Sequence, residues 1–194
     1  MKELTCVRRC IAAFPDRNWS VLELGAYNGR NTVPLSRFYR EVHATEPRYE
    51  NRRECQGALS VAGLRANLTS DRADDMSHVT VRDLLFHAGV FYHLEDPVSH
   101  WRSLAGRFQH VWFNTHYAPP GAALHGRSGD YDCYAYAEGD GPRSGMGSRS
   151  MWLTRPDLLQ LVSEQYDCDV TWEQLDCEHG PRIELRCVLR GDAC

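Results

Sequence analysis

The sequence predicts an α/β protein built on a mostly parallel, three-layer sheet. Three observations carry this expectation. Short strand-like runs alternate with helix-period segments from residue 18 to 115, one of them, Leu84-Leu85-Phe86, is apolar throughout as a strand covered on both faces must be, and the C-terminal end reads as an antiparallel pair. The 194 residues hold 42% apolar and 25% charged side chains, ordinary values for a globular chain. At this length a folded chain buries roughly 70% of the surface its unfolded form exposes, so one domain over residues 1–194 has a sufficient core without metal or disulfide staples.

Residues 3–13 read as a short helix that ends near Phe14-Pro15-Asp16, because proline disfavours helix at the preceding residue. Val21-Leu22-Glu23-Leu24 is an apolar strand closed by Gly25. In the next helix, Asn31 to Phe38, Pro34 is tolerable only in the first turn. Glu41 to Thr45 is the second strand, residues 48–62 a helix, and Ala66 to Thr69 a weak third strand. Val81 to Val90 contains the buried run Leu84-Leu85-Phe86. Glu95-Asp96-Pro97 starts a helix carrying Val98, Trp101 and Leu104, with the acids as capping charges and Trp101 as core. His110 to Asn114 is the fifth strand.

Residues 116–150 depart from this rhythm, with seven of the fifteen glycines and four tyrosines, Tyr117, Tyr131, Tyr134 and Tyr136. A loop of this length inside a compact domain is usually functional or disordered, and the aromatics favour function. Thr154 caps a further helix with Leu158, Leu159, Leu161 and Val162. Cys168, Val170 and Trp172, then Ile183, Leu185 and Cys187, alternate with polar residues as two strands of a hairpin turning at 176–181.

Charge and composition narrow the partners. With 22 Lys+Arg against 26 Asp+Glu, the net charge of −4 speaks against a dedicated nucleic-acid binder but allows a local basic site. The N-terminus lacks the pattern of a signal peptide and no apolar stretch is long enough to span a membrane, so a cytoplasmic location is expected. The eight cysteines include no CxxC pair, so no metal site is predicted; Cys6 and Cys10, four apart on one helix face, read as ordinary half-buried thiols rather than soft-metal ligands, and Cys194 as exposed.

The sharpest local signal is the strand Val21–Leu24 feeding Gly25-Ala26-Tyr27-Asn28-Gly29 and a helix opening at Asn31. Such a turn brings a ligand close to backbone N–H groups. Glu46 ends the next strand, where a carboxylate can accept both hydroxyls of a ribose. His93 and Tyr92, after the fourth strand, and His116, after the fifth, are the candidate catalytic groups, since histidine is the natural base near pH 7.

In these residues the chain resembles the class I methyltransferases that use S-adenosylmethionine. Glu23, Gly25 and Gly29 match the family's first motif, with Tyr27 standing where many members carry glycine, and Glu46 matches the ribose-binding acid. Asp71 falls where the adenine amino group is met, with Asp74 or Asp75 as alternatives, and Arg72 flanks the ring. Ala88 to Pro97 is similar to the stretch after the fourth strand in small-molecule and tRNA-modifying members. The resemblance implies a Rossmann-like sandwich of seven strands in the order 3-2-1-4-5-7-6. It implies S-adenosylmethionine held by Glu23, Gly25, Ala26, Tyr27, Gly29, Asn31, Glu46, Asp71, Arg72, Ala88 and Gly89, and in-line methyl transfer to a small-molecule acceptor. Residues 116–150 are then the substrate lid. A tRNA modifier and a non-catalytic cofactor-binding scaffold are the competing readings; the sequence leaves the acceptor atom and the oligomeric state open.

Overall fold

In the computed structural model, residues 5–76, 79, 82–175 and 180–191 are described. A helix α1 (Cys6–Ala13) precedes alternating strands and helices: β1 (Ser20–Leu24), α2 (Thr32–Phe38), β2 (Glu41–Thr45), α3 (Tyr49–Val61), β3 (Asn67–Thr69) and β4 (Arg82–Ala88). A single 3₁₀ turn at Phe91–His93 leads to α4 (Pro97–Leu104) and β5 (Phe108–His116). Then come β6 (Gly126–Ser128), β7 (Tyr131–Ala137), β8 (Arg149–Trp152), α5 (Arg155–Ser163), β9 (Tyr166–Gln174) and β10 (Arg182–Leu189).

Seven strands form one sheet in the order β3-β2-β1-β4-β5-β10-β9, which, counting only these strands in chain order, is the expected 3-2-1-4-5-7-6. Neighbours from β3 to β5 pair in parallel, and β10 runs antiparallel to both β5 and β9. The three layers follow from the period-2 alternation of side chains along each strand. Leu22, Leu24, Leu85, Val111 and Phe113 join a core with Trp101 of α4 and Leu161 of α5. Their neighbours Val21, Leu84, Phe86 and Trp112 join the opposite core with Val7 and Cys10 of α1 and Leu35 of α2. All five residues of β1 are buried, as a central parallel strand requires.

Helix starts carry their chemistry in the sequence. Asp96 accepts a hydrogen bond from the Ser99 N–H at 3.1 Å with Pro97 opening α4, and Thr154 accepts from the Asp157 N–H at 3.3 Å with Pro156 in the first turn of α5. Pro34 lies in the first turn of α2. Cys168 and Cys187 face each other across the β9–β10 register and are joined as a disulfide, which the spacing did not announce. Cys6 accepts the Trp112 indole N–H and Cys10 is fully buried. Cys194 and most of the hairpin turn lie outside the described residues.

The segment 116–150 is folded rather than a loop. Strands β6, β7 and β8 make a small antiparallel sheet, with Tyr134 opposite Trp152 and Gly126 opposite Cys133. It packs on the carboxyl end of the large sheet, its Met151 N–H donating to the Leu94 carbonyl at 2.9 Å and its Trp152 indole to the Tyr92 carbonyl at 2.7 Å. Among the described residues no helix is long and apolar enough to cross a membrane.

Candidate functional site

A cavity of about 310 Å³ opens at the carboxyl ends of β1, β2 and β4 and reaches the first residue of β10. This is the point where strand order reverses, between β1 and β4, and where open α/β sheets bind ligands.

One wall is the turn after β1. Gly25, Tyr27 and Gly29 all take positive φ, +73°, +48° and +87°. Tyr27 therefore adopts the left-handed backbone with a full side chain, at a cost of order 1–3 kcal/mol that the surroundings must offset. Its N–H donates to Glu46 Oε2 at 2.8 Å, and the Ala26 N–H to the Thr45 carbonyl at 2.8 Å, which together clamp the turn. A Cβ on Gly25 would stand 2.6 Å from Val90 Cγ2, so this position must be glycine to let the loop after β4 approach. Gly29 serves packing: a Cβ there would press on Cys55 and Ala58 of α3 at 3.3 Å.

Glu46 is nearly buried, 6% exposed, yet lines the cavity. Its Oε1 accepts the Arg48 N–H at 3.0 Å and, at 3.4 Å, the Asn51 amide, while Oε2 takes only the Tyr27 N–H and keeps lone-pair capacity for a second donor. Asn28 presents a buried Oδ1 with no hydrogen-bond partner in the same wall.

Glu23 is placed differently. It shares the β1 face of Val21, beneath α2, is 0% exposed, and does not line the cavity. Burial pushes its carboxyl up to about 8, with the Thr32 hydroxyl opposing and the Glu46 charge adding to the rise. Neither of its oxygens has a hydrogen-bond partner at good geometry.

Of the remaining candidates, Asn31, Arg72, Ala88, Gly89, Tyr92 and His93 line the cavity, and Ala26, Asp71 and His116 do not. Asp71 instead accepts the Thr69 hydroxyl at 2.7 Å, while Asp74 faces the cavity in a two-point pair with Arg72 at 2.9 and 2.7 Å. Asp71, two residues past the end of β3, is turned back onto Thr69, and the acid from this connection that lines the cavity is Asp74, one of the two alternatives the sequence offered. His116 is 8% exposed and stacks on Trp152, which stacks on Tyr136. Its Nδ1–H donates to the Gly180 carbonyl at 3.0 Å, and Tyr92, edge-on to the ring, stands on its cavity side. Burial raises the Tyr92 hydroxyl, so this group stays protonated and acts as a donor.

His93 Nδ1 lies 3.0 and 3.1 Å from the two oxygens of Glu138. Glu138, at the end of β7, also accepts the Gly145 N–H at 2.7 Å. Burial raises its carboxyl, but His93, that N–H and the Ser150 hydroxyl outweigh it and hold it below its ordinary value. In the neutral imidazole this acceptance places the hydrogen on Nδ1 and the lone pair on Nε2.

A roof closes the cavity from the β7–β8 connection. Arg48 donates to the Ser144 and Gly145 carbonyls, both at 2.9 Å, Asn51 donates to the Pro142 carbonyl at 2.9 Å, and Arg143 lies 5.2 Å over the Tyr27 ring. Glycine is needed at 145, where a Cβ would sit 2.6 Å from the His93 carbonyl. Sequence reasoning missed Arg48, Glu138 and Arg182; only the spacing of Arg48 from Glu46 held any signal. Five arginines and three carboxylates line the cavity of this acidic chain.

Scans against protein-family models and against curated proteins give no match. Solved structures do match. Two structures of the N-terminal domain of EvdMO1, one with SAH bound and one in the presence of SAH and D-fucose, superpose with TM-scores of 0.81 at 23% identity. They cover 95% and 98% of this chain and 79% and 85% of theirs. The chain has the class I methyltransferase fold. It spans 40% of full-length EvdMO1, at TM-score 0.70 and 22% identity over 95% of this chain. N-methyltransferase NodS from Bradyrhizobium japonicum WM9, in complex with S-adenosyl-L-homocysteine, matches at TM-score 0.65 and 11% identity, covering 96% of this chain and 86% of that one.

Proposed function

We propose that the protein is an S-adenosylmethionine-dependent methyltransferase acting on a small-molecule acceptor. One observation carries the reading: the left-handed turn after β1 and the carboxylate of Glu46 at the end of β2 face one cavity and are hydrogen-bonded to each other. Similar folds crystallised with SAH support it.

The residues fit the cofactor. Glu46 Oε2 keeps acceptor capacity for a ribose hydroxyl, with Oε1 open to a second if the long Asn51 contact yields, the orphaned Asn28 Oδ1 accepts an ammonium or hydroxyl hydrogen, and the Arg72–Asp74 pair offers a planar surface and an acceptor to a base. Bound here, the cofactor supplies an electrophilic methyl on a sulfonium. Transfer is an in-line displacement, so holding the acceptor atom against the methyl supplies most of the catalysis. His93 takes the proton of a hydroxyl or ammonium acceptor on Nε2 while Glu138 stabilises the resulting imidazolium. Tyr92 donates a hydrogen bond to orient that acceptor.

A small acceptor agrees with the net charge of −4, which leaves no surplus of Lys and Arg for a nucleic-acid backbone. Calorimetry with SAH tests the core of the proposal, and no binding at millimolar ligand overturns it. Retention of tRNA on filters would favour the nucleic-acid reading, and SAH binding without turnover of any acceptor would favour the scaffold.

A further inference from the structure

We infer that the acceptor carries an anionic group, a carboxylate or phosphate, and that Arg182 receives it. The inference rests on the methyltransferase reading and adds the acceptor's chemical class.

Arg182 opens β10, opposite His116 in the register, and lines the cavity. Its Nε donates to Asn114 Oδ1 at 2.7 Å. Asn114, 1% exposed, donates from Nδ2 to Glu184 Oε2 at 2.8 Å, and Glu184, 0% exposed, is held by Arg9 from α1 at 2.6 and 3.1 Å. The nearest buried carboxylate is therefore already neutralised by a different arginine. Arg182 is oriented by an amide, which fixes the plane of the guanidinium without cancelling its charge. Among the described residues no carboxylate pairs with it, and its Nη hydrogens have no protein acceptor. Two Nη groups on one edge match the two oxygens of a carboxylate or phosphate.

Position separates this group from the cofactor's sugar. Glu46 ends β2 and Arg182 begins β10, four strands apart in the sheet. At ~4.8 Å per strand that is about 19 Å. The sulfonium is two bonds from the ribose ring, so Arg182 lies on the acceptor side of the reacting methyl. The cofactor's own carboxylate is the other source of the same chemistry, and the experiment must separate the two.

The test uses the whole chain and its Arg182→Gln, Arg182→Lys and Asn114→Asp variants, folding being checked by circular dichroism. SAH affinity is measured by calorimetry, and 4-hydroxybenzoate, phenol and inorganic phosphate are then titrated onto the SAH-loaded protein by NMR. The expected result is at least tenfold tighter binding of 4-hydroxybenzoate than of phenol, a preference erased by Arg182→Gln, reduced by Asn114→Asp and partly kept by Arg182→Lys, with SAH affinity within twofold throughout. The inference is overturned if neither anion binds, if the wild type shows no preference, or if Arg182→Gln weakens SAH tenfold, which would assign the arginine to the cofactor. Failure of the wild type to bind SAH overturns the methyltransferase reading itself, and the anion titration on the unliganded protein then still reports on Arg182.

Discussion

His93 and Glu138 sit 45 positions apart in the chain and 3.0 Å apart in the fold, the histidine from the turn after β4 and the carboxylate from the end of β7. The pair aligns a general base from the sheet with an orienting acid from the segment inserted after β5. Replacing His93 by Asn is expected to lower kcat by roughly 10²–10⁴-fold for a protonated acceptor. Glu138→Gln should lower it less and shift the pH–rate profile, while SAH affinity stays unchanged. Equal rates in all three proteins would show that positioning alone suffices.

Glu46→Ala should weaken SAH binding by about tenfold or more, since the proposed hydrogen bonding to the sugar would be lost along with the clamp on the Tyr27 turn. Calorimetry reads this directly. An unchanged affinity removes Glu46 from the binding site.

Arg48→Ala is expected to act on rates. Two bonds from its guanidinium to roof carbonyls hold the cavity closed, so their removal should speed SAH dissociation by about tenfold. Stopped-flow displacement is the measurement, and an unaltered off-rate would mean that Asn51 and Arg143 suffice to hold the roof.

Stability should peak in a band of intermediate pH. Glu23, with its carboxyl raised to about 8 by burial, keeps its proton in the folded state, so folding loses stability as pH rises from its unfolded value through 8. The buried pair His87 and His100, whose Nε2 atoms lie 2.8 Å apart, works in the other direction. Burial lowers both, His100 to about 4, so stability falls as pH drops below the unfolded histidine value. Thermal midpoints from pH 4 to 9 should show both limbs, and Glu23→Gln should flatten the alkaline one, worth on the order of 3–5 kcal/mol. A flat alkaline limb in the wild type would refute the buried-acid account.

Local signals were legible and distant pairings were not. The strand Val21–Leu24, its turn and Glu46 were readable because strand, glycine turn and strand-end acid are adjacent in sequence and each has one physical use. The large sheet followed from uninterrupted apolar runs. Residues 116–150 read as a loop because glycines surround β7 and its Tyr134 and Tyr136 pack on Trp152 of the adjoining strand rather than into a continuous core, hiding the period-2 pattern. Glu138, Arg48 and Arg182 acquire meaning only through partners 45, 96 and 68 residues away, which no spacing rule reports. Asp71 is turned back onto the Thr69 hydroxyl, a local contact that the strand pattern does not report, which leaves Asp74 as the acid from this connection that lines the cavity.

The small sheet β6–β7–β8 and its connection form one uninterrupted stretch, leaving at the end of β5 and returning just before α5. That stretch carries the roof and Glu138, while His93, Glu46 and Arg182 stay behind on the large sheet. Replacing this single cassette would therefore exchange the roof and the acid that orients His93 together, while the base itself, Glu46 and Arg182 stay in place. Evolution or a designer gains a swappable head on a constant handle.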